Sequence, residues 1–433
     1  MYFLYSLLLA AGLVVGLPFW LYQVIRHGKY TCGLGERLGR VPARLLQNKR
    51  SPTIWIHAVS VGEVLAISNL VEQLRQEMLG HRIVISTTTD TGQKLARVKF
   101  GEENVFYFPL DFASCVRPYL LAFKPELVIL AETEFWPNFL RLSRESGAVI
   151  ATVNARISDR SFPGYRRWKR WLSRILQNVD LFLAQTLEDQ RRLVAIGASA
   201  ERVQVSGNLK YDVAPPSAPE IVARLRESFQ RSDSPPVFVA GSTVDMEEEG
   251  LLLHAFRNVL TTHPAAVMIL APRHPERFDQ VADRVHDFGI PVWRRRSWNG
   301  EAIKGGILLL DTIGELSAIY SLADVAFVGG SLVPRGGHNI IEPAQYGVPI
   351  IVGNHTENFR DIVGLFQSRG AVKIVGPAEF PLVLMELLAD PSQRAELGRC
   401  AKETLQSQMG ATQRTVAALK NLLLSTPPRA GAS

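Results

Sequence analysis

The chain has 433 residues, 47% of them apolar and 21% charged, so it exceeds one ordinary domain and can bury a large core. A formal net charge of +7 points to an anionic partner. With no lysine run and no nucleic-acid recognition motif, anionic lipid is the preferred reading over nucleic acid. Three scattered cysteines, Cys32, Cys115 and Cys400, make no disulfide framework and no CxxC pair, which fits a reducing compartment.

No side chain from Met1 to Ile25 is charged, and LLLAAGLVVGL sits at the centre of this stretch. As a helix, ~25 residues reach about 37 Å, enough to cross a hydrocarbon core of roughly 30 Å. Tyr2, Phe3 and Tyr5 at one end and Phe19, Trp20 and Tyr22 at the other resemble interfacial belts. A cleaved signal peptide is the weaker reading, because no basic residue precedes the apolar run. Pro18 could leave the helix lying in the interface; spanning is preferred. The expectation is a single-pass membrane anchor over 1–25. Arg26, Lys29, Arg37, Arg40, Arg44, Lys49 and Arg50 follow it, which places everything after the anchor on the cytoplasmic side.

Apolar runs at 53–57, 83–86, 105–108, 127–130, 149–153 and 181–184 predict one set of buried parallel strands. A Pro- and Ser-rich interval, 214–236, reads as an interdomain linker region. A second set follows at 237–240, 267–270, 307–310, 325–328, 350–352 and 372–375. Amphipathic stretches alternate with both sets. The predicted architecture is α/β, two doubly wound Rossmann-like domains over 26–213 and 237–433 that face a cleft. The last helix, about 391–424, is expected to return to the first domain.

Candidate chemistry gathers where strands end. In His57-Ala58-Val59-Ser60-Val61-Gly62-Glu63, Glu63 is placed to act as a general base or merely to complement a helix dipole. Ala131-Glu132-Thr133-Glu134 sets two carboxylates straight after a strand, one of them available to tune Glu63. Lys210, in GNLKYD, is suited to neutralising a leaving group. Arg273, after Pro272, is a phosphate or base-edge donor, and Ile313-Gly314-Glu315 lies at a helix start.

The most informative stretch, Phe327–Gly353, reads FVGGSLVPRGGHNIIEPAQYGVPIIVG. Its glycine pairs, including Gly336 and Gly337, would let backbone N–H groups approach a phosphate. Asn339, Ile340 and Ile341 start a helix, and Glu342 one turn inside is placed for a ribose hydroxyl. Asp245 to Glu249 reads as an acidic N-cap and first turn rather than a metal site. With no DxD, no HExxH and no Cys/His ligand set, neither a metal nor a cofactor is expected.

Together, GLGERLGR, HAVSVGEV, TTTDTGQKLA, AETEFWPN, NARISDRS, GNLKYD, APRHPER, DTIGEL and FVGGSLVPRGGHNIIEPA resemble the 3-deoxy-D-manno-octulosonic acid (Kdo) transferases of lipid A biosynthesis. The resemblance spans nearly the whole chain. It implies a GT-B fold and an inverting, metal-independent transfer of Kdo from CMP-Kdo to the lipid A precursor lipid IVA. It places the general base on Glu63, and transition-state stabilisers on Glu132 and Lys210. CMP contacts fall on Pro272 and Arg273, on Ile313 to Glu315, and on Asn339 to Glu342. Val244 and Met246 depart from the family pattern, which carries a His and a Gly there. The competing readings are another membrane-associated GT-B glycosyltransferase, a nucleotide-sugar epimerase, and a catalytically silent lipid-binding protein.

Overall fold

The computed structural model describes residues 1–27, 33–46, 51–212 and 220–425, without the side chains of 17–27. The chain divides into two compact units. Unit 1 is Met1–Asp212 with Met409–Ser433, and unit 2 is Val213–Gln408.

The strands of unit 1 are β1 (Thr53–His57), β2 (Arg82–Thr87), β3 (Val105–Tyr107), β4 (Pro125–Ala131), β5 (Val149–Ala155), β6 (Leu181–Ala184) and β7 (Val203–Val205). They form one sheet in the order β3-β2-β1-β4-β5-β6-β7, each neighbouring pair parallel. Every residue of β1 is buried because helices cover both faces, which is why such strands read as unbroken apolar runs. Alternate residues serve opposite faces. Ile54 and Ile56 join the layer containing Ile67, Leu70 and Leu74 of the helix Val61–Glu77. Trp55 points the other way, into Phe106, Phe123 and Phe139, with ring centroids 5.3, 5.7 and 4.8 Å away. Its indole N–H donates to Ser86 Oγ at 2.8 Å, so the one polar atom of a fully buried side chain is satisfied. Truncating Trp55 to Ala would cost about 3–5 kcal/mol.

The strands of unit 2 are β8 (Val237–Thr243), β9 (Val267–Pro272), β10 (Val292–Arg294), β11 (Gly306–Leu309), β12 (Val325–Val328), β13 (Ile350–Val352) and β14 (Lys373–Ile374). Their order is β10-β11-β9-β8-β12-β13-β14, again parallel throughout. Phe238 and Ala240 face one core layer, Val237 and Val239 the other. The sequence reading missed β7 and β10. Both are three-residue edge strands, partly exposed and carrying Gln204 and Arg294, so they lack an apolar run.

Strand order reverses between β1 and β4 in one sheet and between β8 and β12 in the other. The loops after these four strands are 58–60, 132–136, 244–245 and 329–340. Ligands of open α/β sheets bind at such reversals, beyond the carboxyl ends of the strands.

Two expectations are corrected. Residues 214–219 of the proposed linker lie outside the described residues. From Glu220 the chain is a helix (Glu220–Gln230) whose Ile221, Val222, Leu225 and Phe229 are core residues of unit 2. The second concerns the terminal residues: the expected helix 391–424 is two helices, Pro391–Gln408 in unit 2 and Ala411–Ser425, which returns to unit 1 as expected and buries Val416 and Leu419 in the layer beside Val61–Glu77. The Asp212 carboxylate accepts hydrogen bonds from Gly410 N (2.6 Å) and Thr412 N and so caps the start of this helix.

At the N-terminus one helix, Tyr2–His27, runs past Pro18. Its inner face is fastened to unit 1: Asn138 Nδ2 donates to Ser6 Oγ (3.0 Å), Asn178 Nδ2 donates to the Tyr2 hydroxyl (3.1 Å), and Tyr5 packs on Trp171 (6.2 Å). Phe3, Leu4, Leu7, Leu8, Val14 and Val15 form an exposed apolar stripe on the other face. Among the described residues no helix is long and apolar enough to cross a membrane. The side chains of the predicted 1–25 span from residue 17 on lie outside the described residues.

Candidate active site

In unit 1, Glu63 sits in the first turn of the helix that follows β1, 8% exposed. Its Oε2 accepts from Val59 N at 2.8 Å and its Oε1 from Ser60 Oγ at 2.9 Å. Thr88 N and Thr89 N both donate to Val59 O, at 3.2 and 3.1 Å, so the loop after β2 holds this turn from beneath. Glu63 therefore fastens its own helix start, and it is also coupled to a second loop. Burial pushes its carboxyl up to about 7; the bonds from Val59 and Ser60 pull down, and the charges of Glu132 and Glu134 push up. A carboxyl poised near neutrality is suited to taking a proton.

Glu132 follows β4 with a left-handed backbone (φ 56°), and its N–H donates to Val153 O of the neighbouring strand at 2.9 Å. Asn154, at the end of β5, is also left-handed (φ 54°). Two such non-glycine residues cost on the order of 1–3 kcal/mol each and persist where the surroundings dictate them. Asn154 uses the strain: its Oδ1 accepts from Leu209 N (3.0 Å), fixing the turn that carries Lys210. Asn208 caps the same turn by accepting from Lys210 N. Lys210 Nζ then reaches Glu132 Oε1 at 3.4 Å. Glu63, Glu132 and Lys210, distant in sequence, thus come together, with Glu134 beside them. Burial first, and then the charge of Glu132, raises the Glu134 carboxyl.

Sequence reasoning missed Asp111. Only 2% exposed, it accepts from Asn138 N (3.0 Å) and Phe139 N (2.7 Å) at the start of the helix Pro137–Glu145, and it also bonds the Tyr5 hydroxyl. Burial pushes its carboxyl up to about 6. The loop 132–136 is thereby tied through Asp111 to the N-terminal helix.

In unit 2 the glycine loop departs from expectation. The N–H groups of Gly330, Ser331 and Leu332 do not await a phosphate: they donate to the carboxylate of Glu248, at 2.9, 3.1 and 3.3 Å. Val244 N donates to it too, at 3.2 Å. The acidic run was read as an N-cap and first turn. Asp245 is that cap, but Glu248 and Glu249 turn inward and are fully buried. Glu249 is held by Arg277 (3.0 and 2.7 Å) and Thr243 Oγ1 (2.9 Å).

The remaining expected residues form an open group. Pro272 is buried at the end of β9, and Arg273 after it is exposed, its N–H fixed to Thr243 O at 2.8 Å. Arg273 faces both Glu342 and His338 electrostatically. Burial raises the Glu342 carboxyl, and Asn339 and Arg273 oppose it. Asn339 Oδ1 accepts from Ile341 N (3.1 Å), capping the helix Ile341–Gln345. Ile340 and Ile341 are core residues, leaving only their backbone for a ligand. Gly336 and Gly337 are engaged by Asn358 N (2.9 Å) and Gly330 O (2.7 Å). On the loop after β11, Ile313 is 79% exposed, whereas the Glu315 carboxylate is taken by Arg295 at 3.1 and 2.8 Å. His338 precedes Asn339 in the same loop. Its Nε2 is buried without a partner beside Gly330, and burial lowers its pKa to about 4. Among the described residues no group of three His, Cys, Asp or Glu could hold a metal ion.

Each unit is an open sheet of seven parallel strands. The fold is similar to that of a solved glycosyltransferase from Rickettsia africae, at TM-score 0.54 and 14% identity, covering 87% of this chain and 100% of that one. The model of the family described as 3-Deoxy-D-manno-octulosonic-acid transferase (kdotransferase) matches residues 33–213. The chain is 33% identical over 407 residues to the 3-deoxy-D-manno-octulosonic acid transferase of Haemophilus influenzae, covering 92% of this chain and 93% of that one. Against its counterpart from Bordetella pertussis it is 34% identical over 430 residues, covering 95% and 97%. The chain belongs to the 3-deoxy-D-manno-octulosonic acid transferase family.

Proposed function

We propose that this protein transfers Kdo from CMP-Kdo to lipid IVA with inversion, using Glu63 as general base and no metal. The observation that carries the reading is the coupling of the buried Glu63 carboxyl to Glu132, which is itself paired with Lys210. Glu63 takes the proton of an acceptor hydroxyl as its oxygen bonds the anomeric carbon. The bond from that carbon to the phosphate oxygen breaks, and CMP leaves with the electron pair. Lys210 and Glu132 stabilise charge as it develops. In unit 2 the reading assigns the nucleotide to Pro272, Arg273, Ile313 to Glu315, Gly336, Gly337 and Asn339 to Glu342, with Glu342 on the ribose and Arg273 on the phosphate.

The same reading places the protein on the cytoplasmic face of the inner membrane, anchored by residues 1–25. The exposed stripe from Phe3 to Val15 and the net charge of +7 support attachment to an anionic bilayer.

The test is to incubate the membrane-bound protein with CMP-Kdo and lipid IVA, free of divalent metal, and to weigh the lipid. A gain of one or more Kdo units that Glu63→Ala abolishes is expected. An unchanged lipid mass with the wild-type protein would end this reading, and a UDP-sugar accepted in place of CMP-Kdo would redirect it to another glycosyltransferase.

A further inference from the structure

Backbone N–H groups that converge at the end of a strand form a nest that attracts anions. At the end of β12 this nest is filled from inside the protein. Glu248 lies in the first turn of the helix Met246–Thr262, and its carboxylate receives four N–H donors: Val244 from the loop after β8, and Gly330, Ser331 and Leu332 from the loop after β12. All four contacts are donors, so the group that satisfies them is the ionised carboxylate, with four acceptor positions and no proton to place.

The surrounding backbone is closely packed. A Cβ at Gly329 would fall 2.6 Å from Ser242 O, and one at Gly353 would fall 2.0 Å from Ser331 O, so three loops meet backbone to backbone. Ser331 Oγ completes the join by accepting from Gly353 N at 2.8 Å. Glu248 lies between the first two of these loops and is fully buried, with the exposed pair Arg335–Asp245 (3.4 Å) joining the same loops outside it. From the held segment the chain continues directly into Gly336, Gly337, His338, Asn339 and Glu342. Gly337 N is tied back to Gly330 O at 2.7 Å.

We infer that Glu248 is a positioning residue for the donor site: its carboxylate pre-fills the nest and sets Gly330–Leu332, and through Gly337 the Asn339–Glu342 segment. The donor phosphate is then bound by side chains such as Arg273 and not by this glycine loop. The inference rests on the donor-site reading proposed above. It assigns Gly329 and Gly330 a packing role where a phosphate cradle was expected.

The test uses Glu248→Gln, which keeps the shape but turns one acceptor oxygen into a donor facing N–H groups. CMP affinity of the full-length protein is read by calorimetry, and amide exchange at 244 and 330–332 by mass spectrometry. Glu248→Gln is expected to weaken CMP binding and raise KM for CMP-Kdo by roughly tenfold or more, with kcat changed far less, and to speed exchange at these amides. Glu248→Asp, with an acceptor set too far back, serves as the second variant should Gln fail to fold. In the wild type, adding CMP is expected to leave the already protected 330–332 amides unchanged. Fresh protection there on CMP binding, or a folded Glu248→Gln with wild-type affinity and KM, would overturn the inference. Wild-type protein that binds no CMP but shows the Glu248-dependent exchange would instead sink the donor reading and leave the positioning role standing.

Discussion

Lys210 Nζ lies 3.4 Å from Glu132 Oε1, joining side chains 78 residues apart, each 30% exposed. The pair matters because Glu132 also acts on Glu63, more strongly than Glu134 does. A partly exposed pair contributes little to stability, so its value lies in setting the field at the base.

The pH dependence of activity follows. With the Glu63 carboxyl near 7, kcat/KM should rise through neutral pH as the base ionises, and plateau above it. Glu132→Gln removes a negative neighbour, so the rising limb should move to lower pH. Lys210→Met leaves Glu132 uncompensated, so the limb should move to higher pH, with kcat down about a hundredfold. Limbs that stay in place in both variants would remove Glu63 from the role of base.

Glu63→Gln should lower kcat by roughly 10²–10⁴-fold while the fold persists. Its stability profile carries a second signature. The folded carboxyl is raised from 4.5 to about 7, so this group's contribution is fully present below 4.5 and is lost as pH rises through 7. The loss is on the order of 3 kcal/mol. The wild-type minus Glu63→Gln difference from denaturant melts should follow that slope; a flat difference from pH 4 to 8 would contradict the burial of this carboxyl.

Arg277 pairs in two-pronged fashion with Glu249, which has no exposed surface. Removing the cation strands a buried charge. Arg277→Leu should therefore destabilise unit 2 by about 3–5 kcal/mol, whereas replacing Arg277 and Glu249 together by apolar residues should cost much less. Chemical denaturation of both variants measures this, and equal losses would refute the coupling.

Tyr5→Phe deletes the hydroxyl that bonds Asp111 and leaves the ring on Trp171. The expected cost is about 1 kcal/mol, a fall of roughly 2–4 °C in the Tm of a unit this size. No shift in a melting scan would show that the Tyr5–Asp111 bond adds nothing to holding the N-terminal helix.

Much of this could be read along the chain. Strands covered on both faces need apolar residues at every position, so Thr53–His57 or Val325–Val328 announces itself locally. Short edge strands such as β7 and β10 do not, because one flank is wet and their residues are mixed. The loops after the strands were also legible, since chemistry-bearing residues straight after an apolar run stand out.

The sequence by itself determined the two sets of buried strands and set Glu63, Glu132, Lys210, Arg273 and Glu342 in the segments that follow strands, because strand burial and loop composition are local properties. Tertiary structure alone decided which groups meet. A run of acidic residues looks alike whether it caps a helix or turns inward, and only the closure of the β8 and β12 loops made Glu248 their anion. Likewise Asp212 caps a helix 200 residues on, and Asp111 takes both the start of Pro137–Glu145 and Tyr5. A buried carboxylate must find donors, but which distant N–H groups supply them depends on the packing of the whole unit.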